Sequence, residues 1–218
     1  MQKHVSKQLK RVWQTYNPSA PKGGLVGLML VIILLFSSSL QAQNWDINTL
    51  DNINPSNPSS KYWQQTTASV YPISVGIPAG ILIVGYINHN KAQQEKGWKI
   101  VGALAVNTIL SQGLKYSINR ERPYEKYPLL INPYDTKEQG KSFPSGHTST
   151  AFSLAASIAI EYPKWYVVVP AYAYAASVGY SRLYLGEHYP SDVLAGAALG
   201  VGSAYLSNWL AKKVLKIK

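Results

Sequence analysis

The 218-residue chain contains no cysteine, which excludes disulfides, thiolate nucleophiles and thiolate metal ligands without identifying a compartment. Charge is scarce: 14% of residues are charged, and 10 of them are acidic. There is no acidic cluster and no His-x-x-x-His pair, so no common metal-ligand pattern can be drawn. Strict apolar–polar alternation is missing from the apolar segments, which favours helices over strands. No internal repeat is evident.

Basic residues are plentiful, and the formal net charge is +11. Their distribution argues against nucleic acid as a partner. Lys3, Lys7, Lys10, Arg11 and Lys22 precede the first apolar run, and Lys212, Lys213, Lys216 and Lys218 close the chain. Between them lie apolar segments rather than a basic face interleaved with exposed aromatics. Leu25 to Phe36 is an apolar run behind that basic start, followed by Ser37 to Ala42. Residues 1–42 therefore read as a signal peptide cleaved after Ala42 or as a first membrane helix. Residues 43–70 are polar and read as a loop with room for a short surface helix.

Five apolar segments follow, at 71–88, 98–118, 148–162, 166–181 and 193–211, and the fold expected is all-α. A bundle of five to six apolar helices across a membrane fits them, closed by a basic tail at 212–218. Small residues crowd the last three segments, as close helix packing in a membrane requires. If residue 43 emerges outside, the loop at 88–97, the Pro163-Lys164 turn and the carboxyl terminus lie inside. Lys61, Lys115, Arg120, Arg122, Lys126, Lys137, Lys141 and Arg182 then fall outside, and the other thirteen Lys and Arg fall inside, as positive-inside bias requires. Trp98, Trp165 and Trp209 fall at the inner boundary. Against this stands the mean hydropathy of −0.08, which is low for a membrane bundle. Segments of fifteen or sixteen residues also span only about 22–24 Å, against a hydrocarbon core of about 30 Å. A soluble exported bundle is the competing architecture.

Three motifs fall on the outer side. Lys115 and Arg122-Pro123 offer a point charge and a planar fork for an oxyanion, although a snorkelling lysine and a solvated arginine would look the same. Pro144-Ser145-Gly146-His147 opens a helix, where Ser145 can cap and Gly146 can let backbone N–H groups approach an anion. A capped helix beside a loop histidine is the plainer reading. Ser181-Arg182 leads to His188 and, four residues on, Asp192. A carboxylate bonded to one imidazole nitrogen frees the other as a nucleophile, and a first-turn acid stabilising its helix is again the plainer reading. Arg120, Glu121 and Glu187 read as solvated surface charges.

Jointly these motifs fix eleven identities in order. Over residues 71 to 211 the chain resembles the type 2 phosphatidic acid phosphatase superfamily, which also holds bacterial class A acid phosphatases and vanadium haloperoxidases. The resemblance implies a helical bundle that hydrolyses phosphate esters through a phosphohistidine, without metal or cofactor. It makes His188 the nucleophile, Asp192 its orienting partner and His147 the general acid. It makes Lys115, Arg122, Ser145, Gly146 and Arg182 the phosphate-binding residues. Three cations with helix-end amides suit a reaction that asks mainly for positioning and charge stabilisation.

In the membrane reading, the site opens at the periplasmic face of a bacterial inner membrane and takes a lipid phosphate or diphosphate. Undecaprenyl pyrophosphate, phosphatidylglycerol phosphate, phosphatidic acid and a lipid A phosphate all fit. Tyr124, Tyr127, Leu129, Leu130 and Ile131 either cover the lipid chain or pack their own loop down. No obligate protein partner is implied. The alternatives are a soluble periplasmic acid phosphatase, a vanadate-dependent haloperoxidase, and a lipid-binding membrane protein without catalysis.

Overall fold

The computed structural model describes residues 39–136 and 141–213. Residues 1–38 of the expected leader or first membrane helix, Lys137, and residues 214–218 of the basic tail lie outside the described residues. The bundle is the compact unit Trp45–Lys218. Its helices are α1 (Ser39–Ile53, which enters the unit at Trp45), α2 (Lys61–Ala68), α3 (Val70–Ile87), α4 (Lys91–Ile118), α5 (Pro123–Lys126), α6 (Gly146–Glu161), α7 (Trp165–Tyr184) and α8 (Pro190–Lys213). No strand occurs among the described residues.

The five expected apolar segments are α3, α4, α6, α7 and α8, and two of the stretches between or before them differ from expectation. The polar stretch 43–70 is mostly helix rather than loop. Ile47 and Leu50 give α1 a buried apolar edge that packs with Tyr124, Ile131 and Tyr189. The stretch 88–97 is not a loop either. Asn90 caps α4 by accepting the Gln93 amide at 3.1 Å, and the charged run behind it is helical, so the turn shrinks to Asn88–Asn90. In the loop 119–143, Tyr124 and Ile131 pack down while Leu129 and Leu130 remain exposed.

α6 is the central helix, flanked by α3, α4, α7 and α8. At sixteen residues it measures about 24 Å, but it is largely buried by its neighbours. α3 and α8 are long and apolar enough to cross a membrane. Exposed Val75, Ile83, Ile109, Val169 and Leu194 form an apolar outer surface, with Trp98, Trp165 and Trp209 exposed at the expected inner ends.

α4 runs antiparallel to α6, with Asn107 donating to Ser149 (3.3 Å) and Ser153 donating to the Ala103 carbonyl (3.3 Å). α6 and α8 run parallel and almost touch. A Cβ on Gly200 would stand 2.3 Å from the Ser149 carbonyl oxygen, and one on Gly196 2.7 Å from that of Ser145. The amino ends of α6 and α8 therefore meet the carboxyl ends of α4 and α7 at one end of the bundle. All three motifs lie there.

Candidate active site

His188 is buried, 1% exposed, in the connection between α7 and α8. Gly186 makes that connection possible. Its φ of +71° is the left-handed region, and a Cβ there would lie 2.6 Å from the Asn132 carbonyl oxygen. Asp192, on the first turn of α8, places Oδ2 3.6 Å from His188 Nδ1. That is an ion-pair distance rather than the direct hydrogen bond expected from the sequence. Ser142 fills the gap: its hydroxyl donates to Asp192 Oδ2 and lies 3.3 Å from His188 Nδ1. The Ser142 backbone also hydrogen-bonds His188, and the Tyr189 amide donates to Asp192 Oδ2 at 3.1 Å. With Nδ1 facing this group, Nε2 is the nitrogen left for chemistry.

His147 stands on the first turn of α6, ahead of the apolar segment 148–162, with its ring against Tyr71 at 4.8 Å between centroids. Burial, followed by the charges of Arg182, His188, Arg122 and Lys115, lowers its pKa to about 2. His188 is also held well below the usual imidazole value, by burial and then by Arg122, Arg182 and Lys115. Both imidazoles thus lie within the field of the same three cations.

Ser145 caps α6, its hydroxyl lying 3.5 Å from the Thr148 amide and 2.8 Å from the Thr148 hydroxyl. At Gly146, a Cβ would meet Lys115 Cε at 3.6 Å, so neighbouring protein atoms do not close the approach to the helix end. Lys115 Nζ donates to the Lys141 carbonyl at 2.6 Å.

Glu187 is a correction. It is 2% exposed rather than solvated, and it joins the two arginines. Arg122 Nη1 donates to Glu187 Oε2 at 3.2 Å and to the Glu187 carbonyl at 3.1 Å. Arg182 Nη2 lies 3.6 Å from the same Oε2, while its Nη1 donates to Thr67 at 2.8 Å. Glu187 also accepts the Asp135 amide at 3.1 Å. Arg120 is a second correction. Instead of a surface charge it reaches Asp192 Oδ1 at 2.6 Å, whereas Glu121 is exposed as expected. Among the predicted positions all eight gather at this end. Sequence reasoning missed Ser142, Glu187 and Thr67, and no local pattern marks them.

A model of the PAP2 superfamily matches residues 96–216. The chain belongs to the PAP2 superfamily. Among curated PAP2 relatives, the Lipid A 1-phosphatase of Rhizobium etli is 35% identical over 108 residues, covering 46% of each chain. The Undecaprenyl-diphosphatase of Sulfolobus acidocaldarius is 30% identical over 136 residues, covering 61% of this chain and 62% of its own. The chain thus spans about half the length of the curated relatives it matches. The crystal structure of a transmembrane PAP2 type phosphatidylglycerolphosphate phosphatase from Bacillus subtilis shares the fold, with a TM-score of 0.63 and 23% identity over 88% of this chain and 98% of that one. The bundle is all-helical like that structure, and two of its helices, α3 and α8, are long and apolar enough to cross a membrane. The PAP2 match begins at Lys96, so α1, α2 and α3 lie upstream of it.

Proposed function

We propose that this PAP2 protein hydrolyses a lipid phosphate or diphosphate through a phosphohistidine on His188, with the site opening at the periplasmic face of the inner membrane. The observation that carries the reading is that His147 and His188 stand at the same end of the bundle and both feel the charges of Lys115, Arg122 and Arg182. His188 Nε2 attacks phosphorus and the bond to the leaving oxygen breaks, with its proton supplied by His147 Nε2 or Nδ1. His147 then takes a proton from water as that water attacks the phosphohistidine, releasing phosphate and His188. Lys115, Arg122, Arg182 and the Gly146 and His147 amides at the amino end of α6 meet the equatorial oxygens, which needs no metal to balance their charge.

The depressed His147 value bears on this cycle. A neutral His147 is no acid, so the anionic substrate must raise its proton affinity by offsetting the cations. Substrate binding and proton uptake are thereby coupled.

The lipid part of the reading rests on the surface and on a cavity. An apolar cavity of about 380 Å³ lies between α3, α6 and α7, lined by Ile73, Ile77, Ala151, Leu154 and Tyr174 among others. Ala151 is one helical turn from His147, within reach of a chain whose head group occupies the site. The names of the curated PAP2 relatives point the same way, since both are lipid phosphatases or diphosphatases. Exposed Leu129 and Leu130 and the three tryptophans further favour the membrane over a soluble acid phosphatase.

Purified protein in detergent with EDTA, assayed against phosphatidic acid, undecaprenyl diphosphate and p-nitrophenyl phosphate, tests this directly. Phosphate release from a lipid substrate, lost in both His188→Ala and His147→Ala, is expected. Full activity in either variant, or dependence on an added divalent cation, would contradict the mechanism.

A further inference from the structure

The carboxylate behind His188 is itself held from outside. Arg120, in the connection between α4 and α5, spreads its guanidinium across two carboxylates. Nη1 donates to Asp192 Oδ1 at 2.6 Å and Nη2 to Asp46 Oδ2 at 2.8 Å. The guanidinium also lies 3.8 Å from the Tyr189 ring centroid, and Nη1 reaches the Ser191 hydroxyl at 2.7 Å. Asp46, on α1, accepts the Ser191 amide at 2.8 Å and the Ser191 hydroxyl. Asp192 is fully buried and Asp46 6% exposed, while Arg120 is 26% exposed, so both carboxylates are shielded and the guanidinium keeps partial contact with solvent.

We propose that Arg120 and Asp46 form a clamp that sets the rotation and charge of Asp192, which makes both of them positioning residues for the His188 imidazole. The inference rests on His188 being the nucleophile. Asp192 has two oxygens with separate duties. Oδ2 faces His188, Ser142 and the Tyr189 amide, and Oδ1 is held by Arg120. With Oδ1 fixed, Oδ2 stays aimed at the imidazole. Asp46 then offsets part of the Arg120 charge, so the pull of Asp192 on His188 is tuned by a helix upstream of the matched PAP2 region. α1 is anchored for that task. Asn54 donates to the Asn132 and Tyr184 carbonyls at 2.9 Å each, and Ile47 and Leu50 are buried beside Tyr189.

Arg120 is engaged by Asp192, Asp46, Ser191 and Tyr189, and this separates the clamp from Arg122 and Arg182. The other charged or titratable groups facing His188 and Asp192 are Lys115 from α4, Arg122, Glu187 and Tyr189 from the connections, Arg182 from α7 and His147 from α6. They are left intact in both variants below, so changes in the rate profile report the clamp.

The test is kcat and KM against pH for wild type, Arg120→Gln and Asp46→Asn, with dioctanoyl phosphatidic acid in detergent micelles. Removing Arg120 leaves the Asp192 charge less balanced, favours imidazolium at His188 and moves the acid limb of kcat to higher pH. Removing Asp46 leaves the Arg120 charge less balanced and moves the limb to lower pH. Shifts of about half a pH unit or more, opposite in sign, are expected. A loss of about tenfold or more in kcat for Arg120→Gln, with KM within about threefold of wild type, completes the signature.

Profiles that do not move, or that move the same way, overturn the clamp, as does a KM effect with kcat unchanged. If Arg120→Gln does not fold, Asp46→Asn decides alone, and anything but a downward shift overturns the proposal. A His188→Ala variant run alongside separates the two claims: its full activity would defeat the nucleophile reading, whereas an inactive His188→Ala with unmoved clamp variants defeats the clamp only.

Discussion

Glu187 shows how the residue scale is governed by partners. A carboxylate next to the central histidine would repel a phosphate if it stood alone, yet it is buried between Arg122 and Arg182 and holds both guanidinium groups at the site. Burying two cations without an acceptor between them would cost more than keeping the carboxylate. Substituting Glu187→Gln should therefore destabilise the empty protein by about 1–3 kcal/mol. Orthovanadate, a tetrahedral oxyanion, should restore more of the melting temperature in Glu187→Gln than it adds to wild type. Thermal unfolding with and without vanadate measures both, and an equal vanadate gain in the two proteins would show that Glu187 does not stand in for the anion. The burial of this residue and of Arg120 is not legible in the sequence, for one reason. Whether a charge is solvated depends on which segments fold over it, and neither Asp46 nor Arg122 is near its partner in the chain.

At the scale of elements, the decisive contact is between α6 and α8. The two parallel helices carry Ser145, Gly146 and His147 on one amino end and Asp192 on the other, so their separation sets the width of the site. Gly196 and Gly200 permit the approach. Gly200→Ala should push the helices apart, with a loss of about 1–3 kcal/mol and a fall in kcat. Gly113 on α4, around which nothing lies within 4 Å of a Cβ, is the control. Gly113→Ala should be neutral or stabilising by up to about 1 kcal/mol. Chemical denaturation and initial rates for the pair check the contrast, and equal effects would remove the packing explanation. The small residues in the last three segments made close packing legible, since size is written in each residue. α1 was not legible. From Trp45 to Ile53 it buries only two apolar side chains, Ile47 and Leu50, and it gains order from tertiary contacts of Asp46 and of Asn54 just beyond its end.

For the whole molecule, the gathering of cations around two imidazoles has a consequence for stability. Both histidines sit below their unfolded value of about 6.5, so the unfolded chain binds more protons than the folded one as pH falls through that value. The sign follows directly: their contribution is complete above about pH 6.5 and is lost progressively on acidification below it. The melting temperature should fall from pH 7 to pH 5, and His147→Gln should flatten the slope. Bound vanadate should flatten it too, because an anion among the cations makes imidazolium less costly. A slope identical in wild type and His147→Gln would assign the acid sensitivity to other groups. The same field explains why substrate binding should draw in a proton, which links the stability profile to the proposed catalytic cycle.

Two kinds of information are separated by this protein. Apolar helices, their crowding by small residues, and the order and spacing of Lys115, Arg122, Ser145, Gly146, His147, Arg182, His188 and Asp192 were determined by the sequence by itself, because each is a property of neighbouring residues along the chain. Tertiary structure alone decided that Glu187 joins two arginines, that Ser142 stands between His188 and Asp192, and that Arg120 ties Asp192 to α1. The physical reason is that charge compensation and hydrogen bonding act through distance in space. Partners dozens of residues apart meet only once the helices have packed.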